Sequence, residues 1–277
     1  MSSQIDILSS DITNLSDYMA LVNIVGWPHT AKDIFSLLIL GRPWRAVDRE
    51  SREVIGVAVW WPMGRDWGRV GLVIVSPKFQ GQGIGRSLMK KVLLDAGARS
   101  LMLLATEEGR PLYNQLGFKS VGLTQRHQGY CSHDMSTEPG IQSASLKDLR
   151  EIIALDATVS GFNRSPMITQ MFGVGNTTIL REKNKIIGYA IRRSFGLGTT
   201  LGPLVARNED CAKKLFMASV NLGVLRIDRI LRADKFGQFL EAQNIPGNEI
   251  SHSMVRGRKP SGSGNCHLFA MASHAWG

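Results

Sequence analysis

The 277-residue chain predicts an α/β protein built as two tandem domains. Three observations predict it. An apolar strand runs into a glycine turn and a helix between Gly71 and Leu94; one order of elements (helix, helix, hairpin, strand, helix, strand) occurs twice; and a polar, turn-rich stretch separates the two occurrences. The length suits two ordinary domains better than one large one.

Leu15 to Val25 carries Leu15, Met19, Val22 and Val25 at helical spacing, with Thr13 or Asn14 as cap. Gly26-Trp27-Pro28-His29-Thr30 breaks that helix, and Ala31 to Leu40 forms a second. Arg45 to Asp48 and Glu53 to Pro62 make a hairpin around the polar segment 48–52. Trp67 to Val75 follows as a strand whose end, Leu72 to Val75, is the continuous apolar run of a strand buried on both faces. Ser76 and Pro77 end it. Gln80, Gly81, Gln82, Gly83 and Gly85 turn the chain into a helix with Leu88, Met89, Val92 and Leu93 on one face and Lys90 and Lys91 on the other. Leu101 to Ala105 is a strand, and Pro111 to Gly117 is a short helix, with proline in its first turn and glycine at its C-terminal cap. Strands near Lys119 to Leu123 and near Tyr130 complete the first set.

The segment 132–143, centred on Ser136-Thr137-Glu138-Pro139-Gly140, reads as a linker, so the expected domains are 1–136 and 137–277. Beyond it, helices at Leu146 to Ala157 and Met167 to Met171, strands at Thr177 to Arg181, Ile186 to Arg192 and Thr200 to Val205, a helix at Cys211 to Leu222 and a strand at Val224 to Ile227 repeat the first order.

Glycines without a Cβ let main-chain N–H groups approach a ligand, and a helix that starts there aims its positive dipole end at the same point. The turn therefore predicts an anion site. It is neither a P-loop, which needs Lys-Ser/Thr after the glycines, nor a Rossmann turn, which needs an acidic residue about 20 positions on. Gln80-x-x-Gly83-x-Gly85, directly after a strand ending in Val-x-Pro, resembles the acyl-CoA site of the GCN5-related N-acetyltransferases. Leu112-Tyr113-x-x-Leu116-Gly117-Phe118 resembles that family's short helix after the next strand. The second half resembles the divergent copy that follows the standard domain in tandem members.

The resemblance implies two mixed, mostly antiparallel sheets flanked by helices, with acetyl-CoA as co-substrate and no metal. It implies that backbone groups of Val73, Ile74 and Val75 pair with the pantetheine arm. Gln80, Gly81, Gln82, Gly83, Ile84, Gly85 and Arg86 would hold the pyrophosphate, and Tyr113 would be the general acid. Thr106 stands where relatives often carry an asparagine. The strand before Val-x-Pro lacks the glutamate that many relatives use as base, which leaves Asp66, His29 or ordered water. Acceptor contacts are expected from Trp27, His29, Trp60, Phe162 and Arg164, the last as a carboxylate binder. The copy has Ala206-Arg207-Asn208-Glu209-Asp210 in place of the glycine turn, and acids at a helix start disfavour an anion, so no second CoA site is expected.

Composition bounds the alternatives. With 43% hydrophobic and 20% charged residues the chain is globular rather than disordered. No run reaches the roughly 20 apolar residues of a membrane span, and the first residues lack signal-peptide character, so a cytoplasmic protein without membrane partners is expected. The net charge of +10 is spread thinly, without a nucleic-acid motif, and suits an anionic acyl-CoA better than a polynucleotide. Three widely spaced cysteines suggest neither disulfides nor a thiolate metal site, and His127 and His133 lie in what reads as an exposed segment. The expected function is N-acetylation of a small-molecule amine in a ternary complex, by a monomer or homodimer. A non-catalytic acyl-CoA sensor and a protein or peptide N-acetyltransferase are the alternatives.

Overall fold

The computed structural model describes residues 5–132, 136, 139–196, 198–232 and 235–277. Its first half contains β1 (Ile5–Ser9), α1 (Leu15–Ile24), α2 (Ala31–Leu40), β2 (Arg42–Asp48), β3 (Val54–Met63), β4 (Trp67–Val75), α3 (Ile84–Ala96), β5 (Ser100–Ala105), α4 (Arg110–Gln115) and β6 (Lys119–Cys131). The second contains β7 (Ile141–Ser143), α5 (Leu149–Ser160), α6 (Ser165–Val174), β8 (Asn176–Glu182), β9 (Lys185–Phe195), β10 (Gly198–Ala206), α7 (Glu209–Met217), β11 (Gly223–Ile230), α8 (Lys235–Ala242), β12 (Gly247–Arg256) and β13 (His267–Ala270). Of the expected linker, residues 133–135 (His133 among them) and 137–138 lie outside the described residues. No described helix is long and apolar enough to cross a membrane.

The two halves share one sheet, ordered β1-β2-β3-β4-β5-β12-β6-β11-β10-β9-β8-β7. Its centre is a reciprocal exchange. β12, from the end of the chain, lies between β5 and β6, while β6, from the first half, lies between β12 and β11. Each half thus lends the other's sheet a strand, β6 from the first half and β12 from the second. The described pairings are antiparallel except β4 with β5 and β10 with β11.

Where two shorter strands are expected near 119–123 and 130, a single 13-residue strand runs from Lys119 to Cys131. Neither β12, β13 nor α8 is foreshadowed by the sequence pattern. The two exchanged strands are polar, reading KSVGLTQRHQGYC and GNEISHSMVR. Their order comes from ladders on both edges, not from an apolar face, so hydrophobic alternation does not announce them.

Three apolar clusters hold the sheet. One is the first half's, beneath α3, and includes Met254 of β12. A second belongs to the second half, under α7 and α8. The third joins both: Ile34, Leu37 and Leu38 of α2 share it with Met167, Ile168 and Met171 of α6 and with Trp276. Gln170 Nε2 also donates to Ser36 O at 2.9 Å across this seam.

Because Met254 is 1% exposed within the first half's core, Met254→Ala should destabilise the protein by about 2–5 kcal/mol. Denaturant unfolding followed by fluorescence and circular dichroism should show one transition, displaced as a whole. Two transitions, with only the second-half one displaced, would show the halves to be independent.

Candidate active site

β4 and β5 are in register only at Trp67–Ser100, Gly68–Leu101 and Arg69–Met102, and then part. The parting begins at a bulge in β4. Val59 opposes Gly71 and Val57 opposes Ile74, so Ala58 faces both Leu72 and Val73. Leu72 carries the bulge with φ +49°, a left-handed conformation that leucine adopts only under constraint, and its side chain is buried. Beyond Arg69 the β5-facing edge of β4 carries no strand among the described residues, so an extended ligand can add as one.

The glycine turn lies at the end of that edge. Gly81 and Gly83 have φ of +76° and +78°, and a Cβ on either would project into open space. Gly83 is the N-cap of α3, with no side-chain cap and no acid in the first turn. The N–H groups at the start of α3 therefore remain available, and the cradle fits a pyrophosphate. Ile84 contributes only backbone, its side chain being buried in the core. Gln80 Nε2 ties the turn to Val75 O at 3.1 Å, and Arg86 donates to Gln115 Oε1 on α4.

A cavity of about 440 Å³ opens from the parted strands into the junction of the halves. At its β4/β5 end stand Val73, Thr106, Gly109 and Tyr113. Thr106 Oγ1 accepts the Gly109 N–H at 3.3 Å, which starts α4. Tyr113 is 8% exposed and packs edge-on against Phe118; burial pushes its phenol well above the ordinary value, so it stays protonated.

The cavity's remaining wall is charged and comes largely from the second half. Arg126 on β6, Arg193 on β9, Arg226 on β11, Glu249 and Ser251 on β12, and His274 line it, with Trp27, His29, Lys32 and Asp33 opposite. Arg226 and Asp228, two apart on a strand, share a face. Arg226 Nη2 donates to Asp228 Oδ2 at 2.8 Å, Arg126 Nε to Oδ1 at 3.4 Å, and His274 Nε2 lies 3.3 Å from Oδ1. Burial alone would raise the Asp228 carboxyl, but His274 and Arg226 hold it well below the usual range. Arg126 also pairs with Glu249. Asp33 is occupied: it accepts from Thr30 N and Thr30 Oγ1, both at 2.7 Å, and from Gly196 N at 3.1 Å. His29 packs edge-on against Phe195 at 5.0 Å with Nδ1 buried and unpaired. Burial, and to a lesser degree Arg226, Arg126 and His274, lower its pKa to about 4 against the opposing pull of Asp33.

Trp27 and His29 thus stand at the cavity with Val73, Thr106 and Tyr113, whereas other expected acceptor contacts do not. Trp60 is a core residue whose Nε1 donates to Asp95 at 2.7 Å. Phe162 packs on Trp67 away from the cavity. Arg164 is 1% exposed and binds Asp156 through Nε and Nη2, both at 2.9 Å, and the Trp276 carbonyl at 3.3 Å, so it locks the chain's last residues and is not free for a carboxylate. Asp66 is exposed near Arg258 rather than at the cavity, and His127 is fully buried beside Ile245 O instead of exposed. Sequence reasoning missed Leu72, Arg126, Arg193, Arg226, Asp228, Glu249 and His274. The one local signal was Arg226-x-Asp228, a charged pair on one face of an apolar strand.

The second half repeats the parted strands, β10 and β11 being in register only at Thr199–Leu225 and Thr200–Arg226. Here the gap is filled. β13 adds to β10, with Leu204 opposite Ala270 and Ala206 opposite His267. Gly202 permits the following tail, because a Cβ there would meet Met271 O at 1.9 Å. At the start of α7, Asn208 caps Cys211 N at 2.9 Å and Glu209 and Asp210 occupy the first turn. The β10 edge is thus covered by β13, and the start of α7 is capped and acidic where that of α3 is neither.

An open slot on β4 ending at an uncapped helix N-terminus is the arrangement of an acyl-transfer fold, and comparison with known proteins agrees. Residues 46–139 and 152–270 each match a family model described as an acetyltransferase (GNAT) domain. The chain is 24% identical over 222 residues to the uncharacterized N-acetyltransferase YitH of Bacillus subtilis (strain 168), covering 78% of each. It is 28% identical over 206 residues to the holothin acyltransferase of Pseudoalteromonas sp. (strain SANK 73390), covering 71% of this chain and 69% of that one. A solved protein of Pyrococcus horikoshii shares the fold with a TM-score of 0.83 at 16% identity over 99% of this chain and 96% of its own. A tandem GNAT protein from the clavulanic acid biosynthesis pathway does so at 0.67 and 12%, over 93% and 100%. The chain belongs to the GCN5-related N-acetyltransferase family, as an acyltransferase with two such domains in tandem.

The lowered His29 pKa makes stability depend on pH. The unfolded chain takes up a proton near 6.5, but the folded state does so only near 4. The contribution of His29 is therefore complete above about pH 6.5 and lost as pH falls towards 4, by at most about 3 kcal/mol. Urea unfolding of His29→Gln should lack that part of the wild-type slope between pH 4.5 and 6.5; an unchanged slope would refute the assignment.

Proposed function

We propose that the protein is an acetyl-CoA-dependent N-acetyltransferase that acts on the amine of a small-molecule acceptor, by direct attack in a ternary complex. The observation that carries this reading is the continuity of three features: the unpaired β4 edge, the uncapped start of α3, and a cavity that leads from that edge into the second half. The enclosing second half favours a small acceptor over a peptide.

Bound acetyl-CoA would supply the thioester. Residues 73–75 would hold its arm by backbone hydrogen bonds, and residues 80–86 its pyrophosphate. Tyr113 Oη, protonated throughout the neutral range, would give its proton to the departing sulfur. Glu249 is the cavity carboxylate not spent on capping a helix, and its side chain is 44% exposed. It would receive the proton of the attacking ammonium. His29, neutral above about pH 4, is a weak base and a better hydrogen-bond partner.

Calorimetric titration of acetyl-CoA should fit one site per chain, abolished by Gly83→Trp, which places a side chain where the turn lies open. Two sites would overturn the reading of the second half, and none would overturn acetyl-CoA as donor. In a thiol-release assay, Tyr113→Phe and Glu249→Gln should each lower kcat about 100-fold, with acetyl-CoA affinity unchanged. Full activity of either variant would remove that residue from the mechanism.

A further inference from the structure

The charges at the acceptor end do not cancel within the protein. Of the three cavity arginines, Arg226 takes Asp228 through two nitrogens and Arg126 takes Glu249 and the outer side of Asp228. Arg193 has no carboxylate at ion-pair distance among the described residues. Its Nη2 donates to two backbone carbonyls, Gly202 O at 3.3 Å and Ala272 O, which position the guanidinium without neutralising it. Nε is buried without a partner, and Nη1 bonds to no described residue. A cation held at a cavity wall with donors unspent is costly unless a ligand satisfies it. Lys32, on the facing helix α2, is a second cavity cation with no described acidic partner.

These unspent cations line the same cavity as Tyr113 and Val73 of β4. We infer that Arg193, assisted by Lys32, binds an anionic group on the acceptor, so that the substrates are amines carrying a carboxylate or similar oxyanion at the far end from the reacting nitrogen. This rests on the proposed function for the amine but not for the anion. The Nη1 donors that the backbone contacts leave over can take a carboxylate oxygen, and those fixed contacts leave the guanidinium little freedom to lose on binding. The distance between the anion site and the thioester then selects chain length, with Arg193 as the specificity-determining residue.

Two measurements test it. In the first, the acetyl-CoA-saturated protein is heated with glutarate or with glutaramide. Glutarate should raise the melting temperature saturably and glutaramide should not; Arg193→Gln should abolish the difference and Arg193→Lys should retain part of it. Unchanged acetyl-CoA affinity in both variants shows that they fold. In the second, thiol release is followed with a ladder of ω-amino acids, their carboxamides and the matching aminoalkyl phosphonates. The acids should exceed the carboxamides in kcat/KM by at least about tenfold, and Arg193→Gln should erase that preference. Superior phosphonates would identify the anion as a phosphate type and uphold the site. Carboxamides equal to the acids, or no glutarate effect on the wild type, would overturn it. Glutarate protection without turnover of any amine would uphold the anion site and overturn the N-acetyltransferase reading.

Discussion

The exchange of β6 and β12 is the constraint on which the rest of the molecule depends. A strand edge with unpaired N–H and C=O groups must be covered. Here the edge of β5 is covered by a strand of the second half, and that of β11 by a strand of the first. The ladder between β6 and β12 joins the two exchanges at the centre of the sheet. Because the same strands carry Arg126, Glu249 and Ser251, the connection that unites the halves also delivers side chains to the cavity between them.

Within this near-symmetric frame the halves diverge at equivalent places. Both contain two parallel strands that part after a few residues. In the first half a bulge at Leu72 leaves the edge open, and α3 begins at a glycine without a cap. In the second, β13 occupies the edge, and α7 begins at a capping asparagine followed by two acids. The difference is one of hydrogen bonding: in one half the edge and the helix start stay open, and in the other a strand covers the edge and a side chain caps the helix.

The buried arginines illustrate how surroundings decide a role. Arg164 meets Asp156 in a two-pronged pair with Tyr189 on the same carboxylate, and its remaining donors take the chain's last carbonyls. Arg69 donates to His274 O at 3.1 Å in the same tail. These groups close the junction. Arg193 resembles them in its backbone contacts, but no described carboxylate lies at ion-pair distance from it, and it stands at the cavity wall.

The sequence by itself determined the glycine turn and the short helix beside it. Residues 71–94 and 106–118 are contiguous, and strand, turn, helix and cap follow from glycine freedom, proline placement and helical periodicity over a few residues. The same locality made the second half's loss of the turn legible in Asn208-Glu209-Asp210. Only the tertiary structure decided the charged wall of the cavity. Arg126, Arg193, Arg226, Glu249 and His274 come from segments up to about 150 residues apart, and two of the strands that bring them together are too polar to show a burial pattern. A lone arginine in a sequence looks alike whether it will lock a tail, as Arg164 does, or face a cavity, as Arg193 does. Which it becomes depends on the acids that long-range strand pairing places beside it, and no local pattern encodes that distance.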